Sequence, residues 1–544
     1  MTVLARSHVR RAVATMLAAL SWAGAGAGAA SAQGTPGGSR SGPPSGPIIR
    51  RIVIDRGEVF DSAEVRQFWA FPIVNALHVE TRPYVIRREL LFAIGEPYDT
   101  ARVNESARNL RALSIFRDVQ IDTVTADSGV TVRVHTTDGW TTNLGFGIRT
   151  SGSQHVINAF LQEINLAGTR TVATLGYQSD PDRSLVIVGF DTPRLIANKV
   201  GIGASYSRRS DGHSAGAALN YPFVSLSSHQ GGSLSWGLFD GRVLHYEGGT
   251  RFVEDSARRK FALVRADGAM ALRASARGYV HLGLTGQVRR DDFGPEGGTA
   301  EIPRTITAAA GPYVALRAPR YIQVRNFEAM GRVEDIDLGP TVRADVAIAP
   351  RAWGYDRDGV GGRLAASAGL RIPTGFAQLG ASVGGLYSSA GVDSSSADGS
   401  LLAVAQPNDR HLLVANVAAG QLNNPPFGVE YDIGLGYGIR AFPSHAFTGD
   451  RYYLLNGEYR WLALPRFLGL LGLGIAGFVD HGGAWFGGAE HRTGTDAGFG
   501  FRLGSIRSAG SIVGRLDFAY RFENDREPAG WVLSLGRGFA WQRF

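Results

Sequence analysis

The sequence predicts a mainly β protein: a transmembrane antiparallel β-barrel of about 16 strands, preceded by one small α+β domain. Three observations predict it. Hydrophobicity alternates with a period of two from about Trp140 to the end, over roughly 400 residues. Residues 49–138 instead mix strand patterns with helical ones. Glycine is abundant, at 73 of 544 residues, roughly twice its usual share.

The composition excludes several classes. Cysteine is absent, so there is no disulfide scaffold, no thiol-ligated metal, no cysteine nucleophile and no cysteine-linked lipid anchor. Lys+Arg is 56 and Asp+Glu 48, a net charge of +8. Only Lys199 and Lys260 are lysines, and no long basic run occurs. The arginine bias reads as genomic base composition, and no nucleic-acid partner is expected.

Residues 1–32 read as a secretory signal peptide. Arg6, Arg10 and Arg11 form its positive region, Ala12 to Trp22 its apolar stretch, and Ala30-Ser31-Ala32 a small-x-small cleavage site. The apolar stretch falls short of the ~20 residues a bilayer-spanning helix needs. Residues 33–48 form a Gly/Pro/Ser linker. Leu462 to Val479 is the most apolar later segment. Its Pro465, Arg466 and glycines suit two strands and a turn better than a helix.

The small domain is expected over residues 49–138. Ile48 to Ile54 reads as a strand, and Pro72 to Val79 as an insertion. Arg82 to Phe92 has helical spacing and is stopped by Gly95-Glu96-Pro97. Thr100 to Phe116 is a second helix, capped by Asp99 or Thr100, with Val103, Ala107, Leu110 and Leu113 as its apolar stripe. Val119-Gln120-Ile121 and Val130 to Val134 pair across the Asp127-Ser128-Gly129 turn.

The barrel is expected over residues 139–544. Leu144, Phe146 and Ile148 alternate with Gly145, Gly147 and Arg149. Leu516, Phe518, Tyr520 and Phe522 alternate with Arg515, Asp517, Ala519 and Arg521. One face is apolar, the other small, polar or charged, as in strands with lipid outside and water inside. At about 25 residues per strand and loop, 16 strands fit the length. Gly/Ser/Asp stretches such as Ser388 to Ser400 are expected as exposed loops. Trp236, Tyr452, Tyr453, Trp461, Trp485 and Trp531 are expected as an interfacial girdle.

Certain segments also carry a family resemblance. Ile439 to Arg451 (IRAFPSHAFTGDR), followed by YYLLNGEYRW, resembles the sixth-extracellular-loop motif of the BamA/TamA-type outer-membrane assembly and translocation superfamily, usually Val/Ile-Arg-Gly-Phe/Tyr. Phe478 to Trp485 (FVDHGGAW) resembles its Phe-x-Asp-x-Gly strand motif. Gln162 to Gly168 (QEINLAG) resembles its acidic-Asn-Leu-x-Gly hairpin. Residues 82–121 resemble a POTRA domain, the periplasmic module of that family, and the chain ends in Phe544. Ala441 departs from the usual glycine, only one POTRA-like unit is present, and the last strand is expected to stop near Phe539 with Ala540 to Phe544 extending it.

The resemblance implies a functional loop and a lumen pair: Ile439, Arg440, Ala441, Phe442, Asp480 and Gly482. Arg440 would sit on a loop folded into the lumen and pair with Asp480 on a later strand. A guanidinium buried there needs a carboxylate, and its fork suits one. The implied role is insertion of outer-membrane proteins, or protein translocation, from an outer membrane with the N-terminal domain in the periplasm. The implied partners are unfolded outer-membrane or secreted client proteins held by the POTRA-like domain, outer-membrane lipid and accessory periplasmic proteins.

No catalytic, cofactor-binding or metal-binding residue is expected. Gly472 to Gly477 matches GxGxxG, but strand follows it where a dinucleotide site needs a helix. No G-x-S-x-G, HExxH or P-loop occurs. His481 beside Asp480 supplies too few ligands for a metal. The chain is therefore not expected to be an enzyme. The alternative function is a passive channel or a surface-antigen barrel without insertase activity.

Overall fold

The computed structural model describes residues 46–540 apart from 67, 68, 70, 127, 128, 152, 153, 247–254, 296–304, 436 and 511. The expected signal peptide, most of the linker, the Asp127-Ser128 turn tip and Phe544 lie outside the described residues.

Residues 49–138 fold around a three-stranded sheet of β1 (Ile49–Gly57), β2 (Phe116–Ala126) and β3 (Gly129–Asp138) in the order β1-β3-β2. β1 runs parallel to β3, with Ile52 opposite Val132 and Ile54 opposite Val134. β2 runs antiparallel to β3. Four short helices precede β2: α1 (Ser62–Val65), α2 (Phe71–Leu77), α3 (Pro83–Arg87) and α4 (Thr100–Ala112). α1 starts in a capping box, Asp61 with Glu64. Asp99 caps α4 through the Ala101 amide. Val103 and Leu110 turn inward onto Ile49, Val132 and Val134.

The stretch expected as an insertion contains the helix Phe71–Leu77, and Phe71 stacks on Phe60 at 4.0 Å. Two expectations here need correction. The helix expected over 82–92 ends at Arg87. There the backbone turns to bring Glu89 to Arg194 of the barrel at 2.9 Å. The helix expected to reach Phe116 ends at Ala112, and Ser114 (φ 57°) turns the chain into β2.

The rest is a closed antiparallel barrel of 20 strands. Its first ten are β4 (Thr142–Ser151), β5 (Gln154–Leu166), β6 (Thr171–Ser179), β7 (Ser184–Ile196), β8 (Val200–Arg209), β9 (Gly212–Tyr221), β10 (Gln230–His245), β11 (Asp255–Ser275), β12 (Gly278–Pro295) and β13 (Thr305–Arg317). A hairpin of β14 (Tyr321–Arg325) and β15 (Val333–Asp337) interrupts the barrel. It resumes with β16 (Thr341–Ala349), β17 (Gly359–Ile372), β18 (Gly375–Ser388), β19 (Gly391–Asn408) and β20 (His411–Asn423). A second small hairpin pairs β21 (Tyr431–Ile433) with β22 (Phe447–Gly449). The last strands are β23 (Arg451–Phe467), β24 (Leu471–Trp485), β25 (Gly494–Ser505), β26 (Gly514–Arg521) and β27 (Gly530–Arg537).

The count of 20 corrects the expected 16. Two-residue turns at Ser210-Asp211, Ala276-Arg277, Pro373-Thr374, Ser389-Ala390 and Asp409-Arg410 let the same length make more strands. The Ser388 to Ser400 stretch is hairpin, with Gly391–Asn408 in strand. Its small residues alternate between the two faces, and the ladder with β18 continues past one register shift near Val392.

Outward positions are apolar, from Leu144 and Phe146 through Val188, Leu379 and Val383 to Leu533. Transmembrane barrels carry an apolar band of this kind on their outer face. Trp236, Trp461 and Trp531 belong to it. Tyr452 does not: it is buried, its ring tilted against that of Tyr431 at 4.3 Å between centroids. Among the described residues no helix is long and apolar enough to cross a membrane.

The small domain packs on one rim, the near end. Arg111 bridges to Asp335 of the β14–β15 hairpin at 2.6 Å, and the Arg82 amide donates to the Gly168 carbonyl at 2.9 Å.

Candidate functional site

The lumen is filled from both ends. From the far end, the loop between β20 and β23 folds inward. From the near end comes the β14–β15 hairpin, whose Phe327 is fully buried against Phe376 (5.6 Å) and Phe539 (5.5 Å). The C-terminal segment enters beside it. β27 stops at Arg537, so the expected strand to Phe539 is not formed. The chain turns inward instead, and the Ala540 carbonyl accepts from the Gly438 amide at 3.2 Å. An apolar core of Val404, Val414, Ile433, Ile439, Phe442 and Leu454 holds the three insertions together.

Arg440 sits at the centre, buried. Its Nε lies 2.9 Å from Asp480 Oδ2, one Nη 2.8 Å from Glu458 Oε2 and the other 3.3 Å from Asp517 Oδ2. Its guanidinium also covers the Phe478 ring at 3.7 Å. Arg502 bridges Glu458 (3.0 Å) and Asp517 (2.7 Å), Arg515 reaches Asp517 (2.5 Å), and Arg460 reaches Glu458 (2.5 Å). The cluster therefore interleaves cations with anions, which offsets the cost of burying each.

The loop backbone is fastened as well. Gly438 has φ +88°, a conformation glycine adopts without strain. Its carbonyl accepts from Asn456 Nδ2 at 2.7 Å. The Ala441 amide donates to Asp496 at 2.9 Å, and its carbonyl accepts from Arg521 at 3.1 Å. Ala441 stands where a glycine is usual, yet its side chain fits, packed on Phe478, Ala519 and Val532. Ile439 and Phe442 are buried, and Phe442 faces Phe447 at 5.2 Å. Gly482 lies on β24, where a Cβ would strike the Tyr453 carbonyl oxygen. All six residues singled out from the sequence thus share one neighbourhood.

The barrel closes where β27 meets β4, and this seam is thin. Among the described residues only Ser534 opposite Arg149 and Leu535 opposite Ile148 are paired. The neighbouring β26–β27 and β4–β5 ladders run the length of their strands, from Gly514 to Arg521 and from Thr142 to Ser151. Ser151 Oγ donates to the Ala441 carbonyl at 3.3 Å, and Gln154 accepts from the Ser444 amide at 2.9 Å. The fastened loop therefore touches the seam's first strand.

No protein-family model matches the chain. No curated protein matches it either. Among solved structures, similarity is found to BamA from Haemophilus ducreyi lacking POTRA domains 1–3, at 12% identity over 90% of this chain and 85% of that one, TM-score 0.35. CdiB from Escherichia coli matches at 12% identity over 93% of each chain, TM-score 0.43. The FrpB iron transporter from Neisseria meningitidis (F3-3 variant) matches at 8% identity over 89% of this chain and 91% of that one, TM-score 0.42.

Glu458, Arg460, Asp496, Arg502, Arg515 and Asp517 also belong to the cluster, and no motif in the sequence marks them as its members. Their signal was parity. Asn456, Glu458 and Arg460 alternate with outward Leu455, Tyr459 and Trp461, and Asp517 alternates with Leu516 and Phe518. His481, by contrast, is occupied by Tyr453 and Thr495 hydroxyls at 2.9 and 2.8 Å. No group of metal-ligating side chains occurs among the described residues.

At the far end His445 caps the loop. It lies 3.2 Å from Asp182 and 2.8 Å from Asp432, stacked on Tyr246 at 3.7 Å. Burial alone would push the imidazole down, but the hydrogen bonds and charges of Asp182 and Asp432 outweigh it and raise its pKa to about 10. The folded value lies above the unfolded ~6.5. The stabilisation is therefore complete below that value and lost as pH rises through about 10. Protease cleavage in the 424–450 loop should rise across this window, and His445→Gln should flatten the profile. A wild-type profile already flat across the window would remove His445 as the clasp.

Proposed function

We propose that the chain is an outer-membrane barrel of the BamA/TamA type that assists insertion of outer-membrane proteins or translocation of proteins across the outer membrane. Residues 49–138 serve as its POTRA-like periplasmic domain, and the near end faces the periplasm. The observation that carries this reading is the two-pair seam beside a loop anchored by Arg440. Each backbone hydrogen bond contributes on the order of 1 kcal/mol net, so a short ladder opens far more readily than its neighbours. An open seam exposes two strand edges, and unpaired edges template further strands. A client strand pairs there, while the small domain holds the rest of the client by adding a strand to its sheet. The work comes from client folding and strand pairing, with no catalytic group and no cofactor.

The test is reconstitution. Liposomes carrying the protein should speed insertion of an unfolded outer-membrane client over empty liposomes, read as heat-modifiable client on semi-native gels. Equal rates would overturn the reading. A second reading, a passive channel, is favoured by a cavity of about 930 Å³ lined by Arg265, Asp267, Arg343 and Asp345 on the opposite wall. Steady conductance without client insertion would support it.

A further inference from the structure

A cavity of about 1180 Å³ opens at the near end, between α4, the β14–β15 hairpin and the barrel rim. Its walls carry both signs of charge, but most of the carboxylates are engaged internally. Glu64 pairs with Arg507 at 2.6 Å, and Asp335 with Arg111 at 2.6 Å. Glu105 accepts from the Leu226 amide at 2.7 Å, and Glu334 from the Ala329 amide at 2.8 Å. Asp118 accepts from Gln120 at 2.8 Å.

The cations are not all engaged. Arg325, Arg410 and Arg466 line the same cavity and are exposed. Their guanidiniums have no hydrogen-bond or ion-pair partner among the described residues; Asp409, next to Arg410 in the chain, and Glu328 also line the cavity. Backbone bonds keep them on one arc of the rim. Gln406 donates to the Arg325 carbonyl at 2.5 Å, Asn326 to the Asp409 carbonyl at 2.9 Å, and the Leu462 amide to the Arg410 carbonyl at 2.8 Å. Arg466 follows Leu462 on β23. Around the whole lining nine arginines face seven carboxylates, and this excess focuses a positive potential into a concave site. The volume exceeds what a single small anion fills, since pockets for whole ligands run from about 300 to 1,000 Å³. The three arginines line the cavity together.

We infer that this cavity binds an acidic, unfolded polypeptide segment, with its carboxylates on Arg325, Arg410 and Arg466. The inference rests on the client-handling reading and narrows it: the preferred clients carry Asp/Glu-rich stretches. Guanidinium forks match carboxylates in pairs, and an extended chain presents several at once.

The test uses the full chain in zwitterionic nanodiscs and two short fluorescein-labelled peptides, one Asp/Ser/Gly and one Asn/Ser/Gly. The acidic peptide should bind at least about tenfold tighter at low salt, a margin that shrinks as salt rises. The triple variant Arg325→Gln/Arg410→Gln/Arg466→Gln should lose that margin while remaining heat-modifiable like the wild type. Equal binding of the two peptides, an unchanged margin in the variant, or binding of inorganic polyphosphate with neither peptide bound would overturn the inference. Client insertion is followed in parallel. If the wild type inserts no client but the margin depends on the three arginines, the client reading fails and the site stands. If insertion proceeds and the peptides bind alike, the site fails alone.

Discussion

Arg440→Ala is expected to release the 424–450 loop from the lumen and to impair client handling more than any other single substitution. The guanidinium is shared among Asp480, Glu458 and Asp517, all buried. Removing it leaves Asp480 without its cation and opposite Asp496, while Glu458 and Asp517 keep Arg460, Arg502 and Arg515; breaking a buried pair in this way costs on the order of 3–5 kcal/mol. The loop relieves that repulsion by leaving, so protease cleavage within it should rise. Asp480→Ala should be milder, because Glu458 and Asp517 still hold the arginine. The double variant should add little beyond Arg440→Ala, since the residues act in one network. Arg440→Lys should fall short of rescue, because a point charge cannot serve three carboxylates in a fork. Additive defects of the two single alanine variants would contradict a shared network.

Locking the seam is expected to have the second large effect. Ile148 and Leu535 stand opposite each other on β4 and β27. Directly opposed antiparallel residues have Cα atoms about 4.5–5.5 Å apart, within disulfide range. The chain has no cysteine of its own, so Ile148→Cys/Leu535→Cys forms a single defined cross-link. The oxidised barrel keeps its fold, its lumen cluster and its small domain, and loses only the freedom of β4 to part from β27. Client insertion should therefore fall to the level of empty liposomes when oxidised and return on reduction.

The outward apolar face was legible because a period of two is written directly into the residues, and strands 8 to 21 residues long carry it around the barrel. The number of strands was not, because a two-residue turn such as Asp409-Arg410 leaves little trace between alternating segments. Arg440 and Asp480 were legible through a motif. Glu458 and Asp517 shared the inward parity, but which inward charges lie at one level depends on the register between strands. Asn456 lies opposite Asp480, and Asp480 opposite Asp496; those offsets are set by hairpins and bulges far from the charges. The inward turn after Arg537 was missed for a different reason. Phe539 looks like one more outward residue until Phe327 is known to wait for it inside the lumen.

The most direct measurement is the initial rate of client insertion by the Ile148→Cys/Leu535→Cys protein in liposomes, oxidised and then reduced in the same preparation. A rate that disappears on oxidation and recovers on reduction is the expected result. An oxidised barrel that inserts clients as fast as the reduced one would show that the seam between β4 and β27 does not open to work.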